Sequence, residues 1–199
     1  MGSRRLGRKR LFSLEKKGQE NPNRPGPGME PAVVYSKISR DGAQITTEIV
    51  LDLASSKGAL KSPGHTTNNI IGLSSSAADY VAQGNAHLAA HLGRITTAVN
   101  GIVTDAEIIC TEAPQTGEPH FDLAYKNSAT LAFGGASGTD LLVDSGADYV
   151  TGLNKTGEVN DNSAAGDYLY LGAAATDNAV YSAGKIVIRI YGYAVESDL

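Results

Sequence analysis

Along this chain apolar side chains recur at every second position in several short stretches, the period of a strand that buries one face. Over residues 185–193, Ile186, Ile188 and Ile190 alternate with Lys185, Val187, Arg189 and Tyr191, so the isoleucines are expected inward and Val187, Arg189 and Tyr191 outward. The opposite register would bury two charges. Arg189 is therefore expected to be a solvent-facing charge whose removal does little to folding. Over residues 45–53, Ile49, Leu51 and Leu53 share a face. Over residues 102–111, Ile102, Thr104, Ala106, Ile108 and Cys110 face one way, while Val103, Asp105, Glu107, Ile109 and Thr111 face the other, which turns the acids outward. Phe121, Leu123 and Tyr125 make a further alternating run, and Tyr168-Leu169-Tyr170-Leu171 follows Gly166-Asp167.

Turn signals separate these runs. Ser62-Pro63-Gly64 and Ala113-Pro114-Gln115-Thr116-Gly117 are rich in turn formers, and Asn100-Gly101 is the dipeptide preferred in type I′ hairpins. The segment ending at Val99 is accordingly expected to pair with residues 102–111. Residues 74–92 are ambiguous: serines before Ala77 and a glycine at 84 read as the start and stop of a helix. The stretch 87–92 continues as helix or opens a strand; strand is favoured, with Gly93 marking a bulge where the alternation slips by one. Short strands with Gly, Asn and Asp turns between them predict an all-β protein, a β-sandwich over residues 31–199.

Residues 1–30 follow a different pattern and are expected to form an extended basic N-terminal arm. Asn21-Pro22-Asn23-Arg24-Pro25-Gly26-Pro27-Gly28 denies both helix and ladder hydrogen bonds. The arm holds eight basic groups against three acidic ones, whereas residues 31–199 hold nine against eighteen. A basic tail on an acidic body points to attachment through the tail, and the body's charge would repel nucleic acid. Arg4, Arg5, Arg8, Lys9 and Arg10, interleaved with Leu6, Leu11, Phe12 and Leu14, are the candidate partner-binding residues, because a purely solvated tail has no use for the apolar anchors.

Cys110 is the single cysteine, which excludes an intrachain disulfide and a thiolate cluster. No run approaches the ~18 apolar residues of a membrane span. Leu11, Phe12 and Leu14 fall short of a signal-peptide core, so a soluble protein made in the cytoplasm is expected, with no membrane partner.

Three stretches also carry a resemblance: Arg4-Arg5-Leu6-Gly7-Arg8-Lys9-Arg10-Leu11-Phe12, Asp105-Ala106-Glu107-Ile108-Ile109-Cys110-Thr111-Glu112-Ala113-Pro114 and Ala183-Gly184-Lys185-Ile186-Val187-Ile188-Arg189-Ile190-Tyr191-Gly192. With them the chain resembles a group of small virion structural proteins of tailed, marine-type bacteriophages. The similarity runs over most of the chain and is clearest in the arm and the last strand. It implies a head-associated cement or decoration protein with a jelly-roll-like body. The implied partners are the major capsid protein or another virion subunit and further copies of the chain, and the implied location is the virion. A tail or fibre location is the alternative.

Candidate chemistry is sparse. His87 and His91 are four apart, but Leu88 stands where a zinc hydrolase carries its glutamate, and nothing in the sequence brings His65 or His120 to them. Asp140, Asp144, Asp148, Glu158, Asn160, Asp161, Asn162 and Asp167 lack the ligand order of an EF-hand, and such residues recur in loops because they form Asx turns. Gly134-Gly135-Ala136-Ser137-Gly138 and Gly72-Leu73-Ser74-Ser75 lack the lysine of a phosphate-binding loop. Cys110 falls on an apolar strand face, a poor place for a nucleophile. The expectation is a non-enzymatic protein with no cofactor, no metal and no nucleic-acid partner. The competing expectation is a receptor- or glycan-binding module in which Tyr168, Tyr170, Tyr191 and Tyr193 stack on sugars.

Overall fold

The computed structural model describes residues 24–62, 70–73, 90–126, 141–143, 146–158, 167–173 and 179–194. In chain order the described elements are β1 (Val33–Asp41), β2 (Gln44–Asp52), β3 (Leu60–Lys61), β4 (Gly72–Leu73), β5 (His91–Arg94), the helical turn α1 (Thr97–Asn100), β6 (Ile102–Gln115), β7 (Phe121–Lys126), β8 (Leu141–Val143), β9 (Asn154–Glu158), β10 (Tyr168–Ala173) and β11 (Ala183–Tyr193). A five-stranded sheet runs β1-β2-β11-β6-β9, a four-stranded sheet runs β5-β10-β7-β8, and β3 pairs with β4. Every ladder is antiparallel. The expected all-β sandwich is what this sequence forms.

The pairing is nested. β7 pairs with β8, β6 with β9, β5 with β10 and β2 with β11, so each pair encloses the one before it in the chain. Alternate pairs fall in alternate sheets, as though one long hairpin had been folded back on itself. The inward faces meet in a single core. Ile49 and Leu51 from β2, Ile186, Ile188 and Ile190 from β11, and Ala106, Ile108 and Cys110 from β6 pack with Phe121, Leu123 and Tyr125 from β7 and Leu169, Leu171 and Ala173 from β10. The alternation read for β11 is therefore the one that forms, and β11 lies at the centre of the larger sheet.

Two local expectations are corrected. Residues 97–100 wind into α1 instead of leading into a hairpin, and β5 pairs with β10 rather than with β6. The chain must cross from one sheet to the other here, which a two-residue turn cannot do. Asn100 serves that crossing: it is buried, its Oδ1 accepts from the Thr96 amide at 2.9 Å, and its Nδ2 donates to Thr47 Oγ1 at 2.8 Å. In β6 the alternation slips, since Asp105 pairs with Tyr191 but Val103 pairs with Gly192. Thr104 is the extra residue, so Val103 rather than Thr104 joins the core. Finally, Glu107 takes the outward direction expected of it, yet it is only 7% exposed. The bulge expected at Gly93 does occur, because Gly93 pairs with Leu169 while His91 pairs with Tyr170.

Part of the stretch read as arm lies against the body. The Gly26 amide donates to the His91 carbonyl at 2.8 Å and the Leu73 amide to the Gly28 carbonyl at 2.9 Å. Met29 is fully buried in the core, and a 3-10 turn over Glu30–Ala32 leads directly into β1.

Candidate functional site

With the isoleucines of β11 turned inward, Arg189 and Tyr191 emerge on the outer face of the larger sheet. The ladder registers set Glu48 of β2 on one side of Arg189 and Glu107 of β6 on the other. Arg189 Nε donates to Glu48 Oε2 at 2.8 Å, and its Nη1 donates to Glu107 Oε1 at 3.1 Å. Tyr35 of β1 donates its hydroxyl to Glu48 Oε1 at 2.6 Å. Tyr191 donates to Glu107 Oε1 at 2.6 Å, and Asn154 Nδ2 of β9 donates to Glu107 Oε2 at 3.0 Å. One polar ladder thus crosses all five strands.

Its electrostatics follow from these contacts. The Tyr35 hydroxyl and the Arg189 guanidinium hold the Glu48 carboxyl below its ordinary range. Burial pushes Glu107 upward, but hydrogen bonds from Tyr191, Asn154 and Arg189 outweigh it and leave the carboxyl below its ordinary range as well. The hydrogen bond to Glu48 raises Tyr35, burial and the bond to Glu107 raise Tyr191, and the bonds to Glu48 and Glu107 raise Arg189. Each shift deepens the charge state the group already has at neutral pH. The ladder therefore clamps its strands together through charges and hydrogen bonds that hold their state at neutral pH.

Beside the ladder lies β1, the edge of the sheet, exposed from Val34 through Asp41. Val34, Tyr35 and Ile38 are among the largest exposed apolar side chains of the described residues. On the outer face of the smaller sheet, His91 lies 4.7 Å from the Tyr168 ring, and the Arg94 guanidinium stands 5.6 Å from the centre of that ring. Burial lowers the affinity of His91 for a proton.

The arm residues Arg4, Arg5, Leu6, Arg8, Lys9, Arg10, Leu11, Phe12 and Leu14 lie outside the described residues. So do His65 and His87, the glycine-rich stretch 134–138, Asp140, Asp144 and residues 160–162. Among the described residues no group of three or more His, Cys, Asp or Glu side chains could hold a metal ion. Cys110 is buried in the core, and burial pushes its thiol up. The four tyrosines do not form one platform: Tyr168 and Tyr170 belong to the smaller sheet and Tyr191 and Tyr193 to the larger, with Tyr170 buried and Tyr191 bound to Glu107. The ladder itself was missed from the sequence. Outward charges at 107 and 189 were visible, but their pairing needs the strand register. Comparison with family models, curated proteins and solved structures finds no match to this chain.

Proposed function

We propose that this chain is a non-enzymatic structural protein of a bacteriophage virion, a head-associated cement or decoration protein that holds the major capsid protein or another virion subunit through its N-terminal arm. The observation that carries the reading is how the arm joins the body. Arg24 is exposed, Met29 is anchored in the core, and the chain passes at once into the exposed edge strand β1. From Arg24 onward this segment is held to the sandwich by buried Met29 and Ala32 and by the backbone hydrogen bonds of Gly26 and Gly28, and it continues into the edge strand. The nested strand pairing supports a jelly roll, whose eight strands are two Greek keys wound in this order, with β1 added at the edge. A ladder whose polar groups are taken up by one another suits a building block better than a reaction centre.

The test is removal of residues 1–23, with the cut placed before Arg24 so that Met29 stays in the core. The shortened chain is expected to fold with unchanged melting and to be lost from phage particles produced with it. Wild-type occupancy of the particles would overturn the arm's role. Copy number separates a cement protein from a fibre head, since lattice contacts repeat on the order of hundreds of times per particle and fibre contacts tens of times.

A further inference from the structure

β1 carries its own pattern for pairing. Among the described residues no strand pairs its outer edge, and a register shift at Val34 leaves residues 35–41 as a regular run. The hairpin to β2 closes through Gly42-Ala43 on the pair Asp41–Gln44, with Gly42 in the left-handed region at φ 59°. Asp41, Ser39 and Lys37 therefore aim their backbone groups at β2, while Arg40, Ile38 and Ser36 aim theirs outward. An antiparallel partner must match outward residues with outward residues, so only every second register is open to it.

We propose that β1 pairs with β1 of a second copy about a two-fold axis at Ser39, joining two five-stranded sheets into one. In this register Ile38 and Arg40 exchange backbone hydrogen bonds across the axis, and Lys37 of each copy lies opposite Asp41 of the other. Both ion pairs fall at non-hydrogen-bonded positions, where side chains approach most closely. An axis at Lys37 would set two lysines face to face, and axes at Ile38 or Ser36 would leave Lys37 opposite Ser39 or Tyr35. Charges on an edge strand ordinarily deter pairing. Here they oppose the Lys37 register, gain nothing in the Ile38 and Ser36 registers and form two ion pairs only in the Ser39 register, which makes them a specificity device. A contact this narrow is smaller than the ~1,000 Å² of a free-standing interface, so it gains from the high local concentration of a lattice. The inference deepens the virion reading, on which it rests only for where the contact operates.

The experiment is a single-cysteine scan of the full chain: S36C, K37C, I38C and S39C, each oxidised mildly at high protein concentration. The native Cys110 is buried and stays silent. Cβ atoms of facing non-hydrogen-bonded residues are close enough for a disulfide. S39C is expected to form a disulfide-linked dimer about tenfold faster than the other three, the effect of holding two thiols in register. Adding D41K to S39C should abolish the crosslink, as should adding K37D, while an equal mixture of the two double variants should restore it. Circular dichroism melting reports whether each variant is folded. Crosslinking at none of the four positions, or equally at all, in chains that still join particles would overturn the pairing alone. Chains that crosslink through S39C yet never join particles would sink the virion reading and keep the pairing.

Discussion

Replacing Arg189 with methionine keeps the aliphatic stem over the sheet and removes the guanidinium that joins Glu48 to Glu107. An exposed ion pair contributes ~0–1 kcal/mol, and breaking a buried one costs ~3–5 kcal/mol. Arg189 lies between these limits, with its side chain 37% exposed, against 24% for Glu48 and 10% for Glu107. Water can reach the cation and Glu48 but hardly Glu107, so most of the loss is the carboxylate left behind at Glu107. Arg189→Met should therefore cost about 1–3 kcal/mol, between the exposed and buried limits. In a chain of this size that is a drop of roughly 3–10 °C in melting temperature. Denaturant unfolding of R189M, E107Q and the double variant gives the coupling directly: the double variant should be more stable than the sum of the two single losses predicts. The pH dependence supplies an independent check. The carboxyls of Glu48 and Glu107 both titrate below their ordinary range in the folded state. Their contribution is complete above the unfolded carboxyl value of ~4.3 and is lost as pH falls through the lowered folded values. The gap between wild type and R189M should close over that acid range. If R189M melts with the wild type at neutral pH, solvent screening governs this site, and if the gap persists unchanged at pH ~2 the loss comes from packing and not from charge; either result means the clamp has been overvalued.

Three further outcomes are expected. Ile188→Ala, at the buried centre of β11, should destabilise the sandwich by about 2–5 kcal/mol in urea unfolding, and a loss under ~1 kcal/mol would contradict its place in the core. Gly157→Ala should cost about 3 kcal/mol or leave no folded protein, because a Cβ there would run into the Leu142 carbonyl of β8, where the two sheets meet; wild-type melting of this variant would refute the close approach. Cys110 should resist a water-soluble thiol reagent in the native state and react once the chain is unfolded in denaturant, since burial both hides the thiol and raises its proton affinity; rapid native labelling would contradict its position.

What the sequence disclosed is what a single strand can disclose. Ile186, Ile188 and Ile190 declare their face because every second residue must be apolar on the buried side and the alternative would bury Lys185 and Arg189. Asn100-Gly101 misled because the same dipeptide serves a hairpin or the end of a short helical turn. What decides between them is the bond from Asn100 to Thr47, made across 53 residues of sequence. The ladder was hidden for the same reason. Glu48, Glu107 and Arg189 each look like ordinary outward charges on their own strands, and only the register of three strands sets them side by side. The slip at Thr104 is read from its partners on β11 and not from its own neighbours.

The nested pairing has a consequence for how the chain comes to be folded. Among the described strands β11 is the last in the chain, yet it is the middle strand of the larger sheet, and its pairing with β2 joins residues 141 positions apart, as Arg189 and Glu48 are. Until β11 is available, β2 and β6 have no common neighbour. Their apolar faces, Ile49 and Leu51 on one and Ile108 and Cys110 on the other, have no completed core to enter. The long loop must be closed before those contacts stabilise anything, so folding is expected to be slow and to wait for the chain to be made through β11. During that wait the half-built sheet offers unpaired strands to its neighbours, and a protein made in many copies at once would be most prone to aggregate in that interval.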